Sequence, residues 1–418
     1  MKMRVALRTA LVLASLAFIS FAHSAARQAN EPQDSNSKFE LNVNRVLIPV
    51  IVRDKQGRAV TGLKQEDFQV FDNDKPRLVS AFTVERRGTE ASKLESDPQS
   101  STSPDASPQS PAPPRFIVFL FDDLHLSFDD LAGAQKAGAK ALAGVLGGSD
   151  MAAVLSLSGN TNSGLTRDRA KLQEAMLSLK SQGNYLHESE ACPKIGYYQA
   201  YQMERIENIQ AFQEARMQVV ACGAAADSYQ AAQGVRIIAM RVLKDESRDF
   251  VASFAAIGEI VHRMGTLPGQ RILILVSPGL PILEPEVSAA ESRMIDLAAQ
   301  SNVTVSALDA HGLSATSATA GNENSNEFAV AEVQVAEGAL SDLADATGGT
   351  FFHNSNDLDS GLKSLTEAPE VVYVLELSLD GVKADGSLHR LKVRVDRPGL
   401  DVQARRGYFL PKPEKNKK

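Results

Sequence analysis

Residues 115–130 read RFIVFLFDDLHLSFDD, a mostly apolar run that passes directly into acidic and polar side chains. The run from Arg115 to Phe121 is continuous instead of alternating, which is typical of a strand covered on both faces of a parallel sheet. In open α/β sheets, ligands bind beyond the carboxyl ends of the strands. This stretch therefore predicts the class of the fold and the position of its functional site.

Strands and helices alternate in the chain that follows. Further apolar strands are predicted at four places: 151–157, 271–276, 302–308 and 350–352. Amphipathic helical spacing lies between them, and one helix is expected from Tyr197 to Ala221, a stretch that contains no Gly or Pro. This alternation predicts an α/β domain over residues 115–367, with a doubly wound parallel sheet and right-handed crossovers.

The segments before and after this domain predict β structure. Strands are expected in residues 38–88 and again in residues 368–411. Three strands on each side are too few to close a sandwich, so we expect the two segments to combine into one split β-sandwich. Two unrelated β modules are the alternative. Residues 89–114 are rich in Ser and Pro and predict a disordered linker.

The first 26 residues have the layout of a signal peptide. Lys2, Arg4 and Arg8 precede an apolar run that is short for a membrane-spanning helix, and small residues follow it. We therefore expect cleavage, an exported protein in the periplasm or outside the cell, and no transmembrane helix in the mature chain. An uncleaved N-terminal anchor is the alternative.

The chain has only two cysteines, Cys192 and Cys222. In an oxidising compartment two lone cysteines most simply pair, so we expect a disulfide. Two separate buried thiols are the alternative. Residues near 183–230 would then form an extra, stapled surface that decides the partner.

Composition and motifs exclude several functions. The chain has 418 residues and a formal net charge of -7, so it has no basic surplus for binding nucleic acid. No dinucleotide-binding GxGxxG or phosphate-binding GxxxxGK[ST] follows a predicted strand, and neither GxSxG nor HExxH occurs. We therefore predict a protein that is not an enzyme and assign no catalytic residue.

The acidic loop after the first strand is the candidate site. Asp123, His125 and Ser127 alternate, so an extended turn would aim all three the same way. Oxygen ligands at this spacing suit a hard divalent cation, and one histidine shifts the preference toward a transition metal. The alternative is structural: Ser127 caps a helix together with Asp130, and His125 forms a local hydrogen bond.

A second pair lies at the same predicted edge of the sheet. Asp309 and His311 follow the 302–308 strand and are candidates for the rim of the site.

The order of elements resembles a von Willebrand factor A domain. Three framing segments are similar to a bacterial branch of that family known from Acidobacteria: VIVRDKQGRAVTGLKQEDFQVFDN (50–73), LADATGGTFF (343–352) and RRGYF (405–409). The family's first strand ends in Asp-x-Ser-x-Ser, the start of a metal-ion-dependent adhesion site. This chain has Asp123-x-His125-x-Ser127, so the resemblance implies a degenerate form of that site.

The resemblance also implies weaker ligands and a function. Asp122, Thr166 and Ser277 are the weaker metal ligands, and Ser277-Pro278-Gly279 stands where the family has Thr-Asp-Gly. The cation would be Mg²⁺, Ca²⁺ or Mn²⁺, or none. The implied function is an exported protein-interaction or adhesion-type module with a protein ligand. The alternatives are a metal-assisted hydrolase that uses the Asp122-Asp123-His125 loop and a metal-free structural protein of the cell envelope.

Overall fold

The part of the chain that can be described covers both β segments and the domain between them. A computed structural model describes residues 45–55, 58–86, 114–147, 150–183, 192–223, 228–312, 327–367, 371–382 and 387–410. The predicted signal peptide, and the predicted linker apart from Pro114, lie outside these residues. Asn44–Lys418 form one compact unit.

A parallel sheet forms the centre of the α/β domain. Its strands are β5 (Arg115–Phe121), β6 (Met151–Ser156), β7 (Gln270–Ser277), β8 (Val303–Asp309) and β9 (Phe351–Phe352). They lie in the order β6-β5-β7-β8-β9, and every neighbouring pair is parallel. Every residue of β5 is buried, as the continuous apolar run predicts. The predicted doubly wound sheet is confirmed.

Helices cover both faces of this sheet, so it has two cores. On one face Ile117, Phe119 and Phe121 pack against α1 (Phe128–Val145), α2 (Arg169–Ser178) and α8 (Leu358–Thr366). On the other face Val118 and Leu120 belong to the core formed with five helices: α3 (Tyr197–Glu204), α4 (Ile209–Ala221), α5 (Ser228–Met264), α6 (Pro285–Gln300) and α7 (Glu327–Thr347). Within the described ranges, no helix is both long enough and apolar enough to cross a membrane.

The single helix predicted from Tyr197 to Ala221 is wrong. The structure has two helices there, separated by a turn in which Glu207 has a φ of 57°. Asn208 then caps α4, because its side chain accepts hydrogen bonds from the backbone N–H groups of Gln210 and Ala211. The absence of Gly and Pro therefore did not exclude a helix break, since Asn supplied a start signal of its own.

The two β segments form a sandwich of two four-stranded sheets. The strands are β1 (Arg45–Arg53), β2 (Phe68–Asp72), β3 (Lys75–Arg77), β4 (Val79–Arg86), β10 (Val371–Ser378), β11 (Ser387–Val395), β12 (Asp401–Ala404) and β13 (Gly407–Leu410). One sheet has the order β12-β1-β10-β4 and the other β13-β11-β2-β3, so each mixes strands from both ends of the chain. The predicted split β-sandwich is confirmed.

The chain enters and leaves the inserted domain at nearly the same place. Arg115 begins β5 and is only 1% exposed, yet its guanidinium forms an ion pair with Asp150, with nitrogen–oxygen distances of 2.5 and 3.2 Å. The same side chain donates to the backbone oxygen of Thr366, the last residue of α8, at 2.8 Å. This link holds together the start and the end of the inserted domain.

Two of the framing segments meet at the junction between the domains. Gln403 donates to the Gly348 carbonyl at 3.0 Å, and Arg406 pairs with Asp345 at 2.8 Å. Gly348 has a φ of 78°, and a Cβ atom there would lie 2.7 Å from the backbone nitrogen of Arg405. A residue without a Cβ atom is therefore needed at Gly348 of LADATGGTFF, because the backbone of RRGYF packs directly against it.

We expect Gly348→Ala to lower the free energy of unfolding by about 2–4 kcal/mol, because alanine is strained at positive φ and meets the Arg405 backbone. Urea unfolding of the purified protein measures this. The matched control is Gly338→Ala, in the middle of α7, where a Cβ atom meets nothing within 4 Å. That control should gain about 0.5–1 kcal/mol from helix propensity. An unchanged unfolding free energy in Gly348→Ala would contradict the tight junction.

Candidate functional site

The carboxyl ends of the central strands bring the candidate residues to one edge of the sheet. The sheet order reverses direction at β5 and β7, which makes their carboxyl ends the switch point where α/β proteins bind ligands. Asp122 follows β5, and its backbone N–H donates to the Val276 oxygen of β7 at 2.9 Å. Ser277 is in register with Asp309 of β8. Asp122 and Ser277 thus lie at the switch point, and Asp309 lies at the same carboxyl edge on the neighbouring strand.

Asp122 is the centre of a buried hydrogen-bond network. Its side chain is fully buried, and a buried carboxylate is costly unless donors surround it. One oxygen accepts from the Ser277 hydroxyl at 2.7 Å, and the other lies 2.7 Å from Nδ1 of His125. The His125 backbone N–H also donates to Asp122, at 3.2 Å. The carboxylate therefore fixes the orientation of the imidazole, as a local hydrogen bond was expected to do.

Asp123 faces a different neighbour. It is 1% exposed, and its two oxygens accept from the backbone N–H and the hydroxyl of Ser158, at 2.9 and 2.6 Å. Ser158 belongs to the loop after β6, so Asp123 joins that loop to the end of β5.

Ser127 and Thr166 lie at the starts of helices. Ser127 caps α1: its hydroxyl oxygen accepts from the Asp130 backbone N–H at 3.1 Å and donates to the Asp130 carboxylate at 2.5 Å. Thr166 accepts from the backbone of Asp168, which caps α2. Thr166 also bridges to Ala152, near the start of β6, so it lies away from the carboxyl edge.

The predicted ligands therefore divide into two groups. Asp122 contacts both His125 and Ser277, whereas Asp123, Ser127 and Thr166 have separate partners. In the described part of the chain, no three His, Cys, Asp or Glu side chains converge as a metal ion requires. The divalent-cation site stays a prediction.

Asp309 and His311 form a second aspartate–histidine pair at the same edge. The Asp309 side chain is fully buried, and its Oδ1 atom accepts from the backbone N–H of His311 at 3.0 Å and lies 3.1 Å from the His311 Nδ1 atom. Its Oδ2 atom is buried and has no hydrogen-bond partner among the described residues. A buried carboxylate thus orients each of the two histidines.

Both histidines line one cleft of about 790 Å³. The ring of Phe250, on α5, lies 5.4 Å from the ring of His125, and Pro278-Gly279 form part of the floor. Three acidic residues complete the lining: Glu246, Asp249 and Glu332. None of the described lining residues is Lys or Arg. Sequence reasoning missed the three acids because they lie within long helices and belong to no motif.

The acidic surroundings change the titration of both histidines. Burial alone would lower the pKa of His125, but the carboxylates of Asp122, Glu246 and Asp249 outweigh it and raise that pKa above its ordinary 6.5. Burial also opposes the charged form of His311, and Asp309, Asp130 and Glu337 raise its pKa above 6.5. The cleft therefore favours positive charge.

The disulfide between Cys192 and Cys222 is confirmed. It closes a segment that contains α3 and α4, and this segment reaches the cleft. Tyr197 of α3 packs edge-on against Phe250, with ring centroids 5.1 Å apart, and the Tyr198 N–H donates to Glu332 at 3.1 Å. Large apolar side chains are exposed on and beside this segment: Ile206, Ile209, Met217, Val220, Tyr229, Ile237 and Met240. The stapled segment thus contacts two residues of the cleft lining and also carries exposed apolar side chains.

The fold and site define an α/β protein whose doubly wound domain is inserted in a β-sandwich. No protein-family model matches the sequence, and no curated protein matches it. An aerotolerance-related membrane protein from Bacteroides fragilis is similar in structure, with 13% identity and a TM-score of 0.30 over 60% of this chain and 96% of that chain. The TFIIH p34 N-terminal domain has 10% identity and a TM-score of 0.24 over 61% of this chain and 97% of that chain. Scores this low carry no argument about function, so the fold class rests on the sheet topology itself.

Replacing Asp309 should change the titration of His311. In Asp309→Asn we expect the pKa of His311 to fall below its wild-type value, because burial then acts against fewer opposing charges. A nuclear magnetic resonance titration of the His311 ring measures this, with Asp296→Asn as the control. Since the folded-state pKa is raised, His311 stabilises the fold below pH 6.5, and this contribution is lost as the pH rises through the folded-state value. An unchanged titration in Asp309→Asn would contradict the pairing.

The predicted cation site has a direct test. We expect Mg²⁺, Ca²⁺ or Mn²⁺ to raise the melting temperature relative to EDTA, because a ligand at 100 times its Kd adds about 2.7 kcal/mol of stability. Asp123→Asn should remove the shift, and Asp296→Asn should keep it. If none of the three cations shifts the melt, the loop has only the hydrogen-bonding and capping roles described above.

Proposed function

We propose that the protein is an exported protein-interaction module that binds a partner at the carboxyl edge of its von Willebrand A-like sheet. The observation that carries this proposal is the cleft itself. It combines two aspartate-oriented histidines, three carboxylates and several apolar lining residues, and the disulfide-stapled segment contacts two of its lining residues, Phe250 and Glu332. Such a concave surface at a switch point is where this class of fold binds ligands.

The charge of the cleft selects the chemistry of the partner. Its described lining has three carboxylates and no Lys or Arg, and Asp122 and Asp309 lie behind its histidines. A negative surface attracts basic side chains and repels acidic ones. We therefore expect the partner to present a Lys- or Arg-rich segment.

Export is part of the same proposal. The layout of residues 1–26 supports it on the sequence side, and the Cys192–Cys222 disulfide fits an oxidising compartment. The periplasm and the cell exterior are both compatible with these observations.

The hydrolase alternative has less support. The carboxylates of Asp122 and Asp123 accept hydrogen bonds from Ser277, His125 and Ser158, so they already serve to join strand ends and loops. A structural role without a metal would use the same contacts, but it gives no reason for an acidic cleft beside them.

Charge removal in the cleft tests the proposal. The bait is the mature chain, crosslinked to partners in the envelope of the native host, compared with the double variant Glu246→Gln/Asp249→Asn. We expect the variant to recover a specific partner at least about tenfold less well, equivalent to about 1.4 kcal/mol, and salt to weaken the wild-type interaction.

The control is Glu174→Gln/Asp296→Asn, which removes the same charge away from the cleft and should capture the partner normally. If the cleft variant and the control recovered the same proteins in equal amounts, the proposed site would be wrong. An acidic recognition segment in the captured partner would also contradict the charge argument.

A further inference from the structure

A second cleft lies at the opposite edge of the sheet, where the α/β domain meets the sandwich. It has a volume of about 760 Å³, within the range of small-molecule sites. One wall consists of α6 and α7 and the other of β11, β12 and the Arg405–Gly407 stretch. The Arg406–Asp345 ion pair and the hydrogen bond from Arg405 to Asn302, at 2.9 Å, tie the two walls together. The cleft is therefore formed before any ligand arrives.

The helical wall carries an unpaired buried carboxylate. Glu291 is 9% exposed, and its Oε1 atom is buried without a hydrogen-bond partner among the described residues. Burial, and then the charge of the neighbouring Asp342, raise the pKa of Glu291 to about 7. Native proteins rarely leave a buried polar atom unpaired, so this atom, in a residue that lines the cleft, points to an absent hydrogen-bond donor.

The sandwich wall carries the opposite charge. Arg390, Lys392 and Arg405 line the cleft, and within the described ranges none of the three forms an ion pair with a carboxylate. Among the described residues, Arg405 donates to the neutral oxygens of Gly407, Asn302 and Ala299, and burial lowers its pKa to about 10. Asp74 also lies on this side, at its margin. The sandwich wall thus has more positive than negative charge and an arginine with unused capacity for an anion.

Opposite charges that face each other without pairing leave room for a ligand that pairs with both. We propose that this interdomain cleft binds a small zwitterion of the amino-acid or short-peptide class, with its ammonium group at Glu291 and Asp342 and its carboxylate at Arg390 and Arg405. The ammonium supplies the donor that Glu291 lacks, and a guanidinium matches the planar geometry of a carboxylate. This site is separate from the partner cleft, because the two clefts share no lining residue.

Calorimetric titration with three forms of triglycine tests both ends of the ligand. The full mature chain is titrated with triglycine, with N-acetyl-triglycine, which lacks the ammonium, and with triglycine amide, which lacks the carboxylate. We expect triglycine to bind, and each blocked form to bind at least about tenfold more weakly, the change that corresponds to one lost charged contact of about 1.4 kcal/mol.

Two variants assign the contacts. Glu291→Gln should weaken triglycine about tenfold but leave the weak binding of the acetylated form unchanged, because that form has no ammonium to lose. Arg390→Gln should weaken triglycine about tenfold but leave the weak binding of triglycine amide unchanged, because the amide has no carboxylate to lose. Glu286→Gln, on the exposed first turn of α6, is the matched control and should bind like the wild type.

The proposal is overturned if triglycine gives no binding heat, or if either variant binds all three peptides like the control. Because the blocked peptides are compared on the unmodified protein, a folding defect in one variant would not decide the result. Loss of triglycine binding in Glu246→Gln/Asp249→Asn would likewise place the ligand in the other cleft and overturn the assignment.

Discussion

An inserted domain requires that the chain enter and leave it at neighbouring points. The buried guanidinium of Arg115 meets this requirement. Arg115 pairs with Asp150 and donates to the Thr366 carbonyl, so the first strand of the sheet and the last helix of the domain are joined at their crossing point. From there the chain continues into β10, which pairs antiparallel with β1 over Arg45–Val50. A buried ion pair stabilises a fold only when its geometry is good and its hydrogen-bond donors are satisfied, and Arg115 meets both conditions. The sandwich can close because this link holds the two ends of the domain in place.

The same arrangement separates the two edges of the parallel sheet. The sandwich covers the amino edge, where Gly348, Arg405 and Arg406 make the junction rigid. The carboxyl edge receives the buried side chains of Asp122, Ser277 and Asp309, and among the described residues a cleft lies beside them. For the proposed function, an edge that is held from behind by a second domain would keep its shape on binding, which reduces the entropy lost.

Much of the fold could be predicted because its signals are local. The continuous apolar run of Arg115–Phe121 predicted a buried parallel strand, and the shortage of strands in each β segment predicted that the two would combine. The break between α3 and α4 escaped prediction because it depends on a single cap, Asn208. The burial of Arg115 also escaped it, since its partners Asp150 and Thr366 are distant in sequence and meet only in the folded chain.

The candidate site was predictable only in part, for the same physical reason. Residues that follow a strand are placed by the topology, so the sequence located Asp122, Ser277, Asp309 and His311 at one edge. Topology does not determine which way a side chain turns: Asp123 follows the same strand as Asp122 but turns to Ser158, while Asp122 turns to His125. The acids that give the cleft its charge come from α5 and α7, which pack on one face of the sheet. How close these acids come to the histidines depends on how the two helices pack. The motif in the loop after β5 therefore suggested a cation ligand, whereas the basic partner proposed above depends on carboxylates that two distant helices bring to the cleft, whose described lining contains no Lys or Arg.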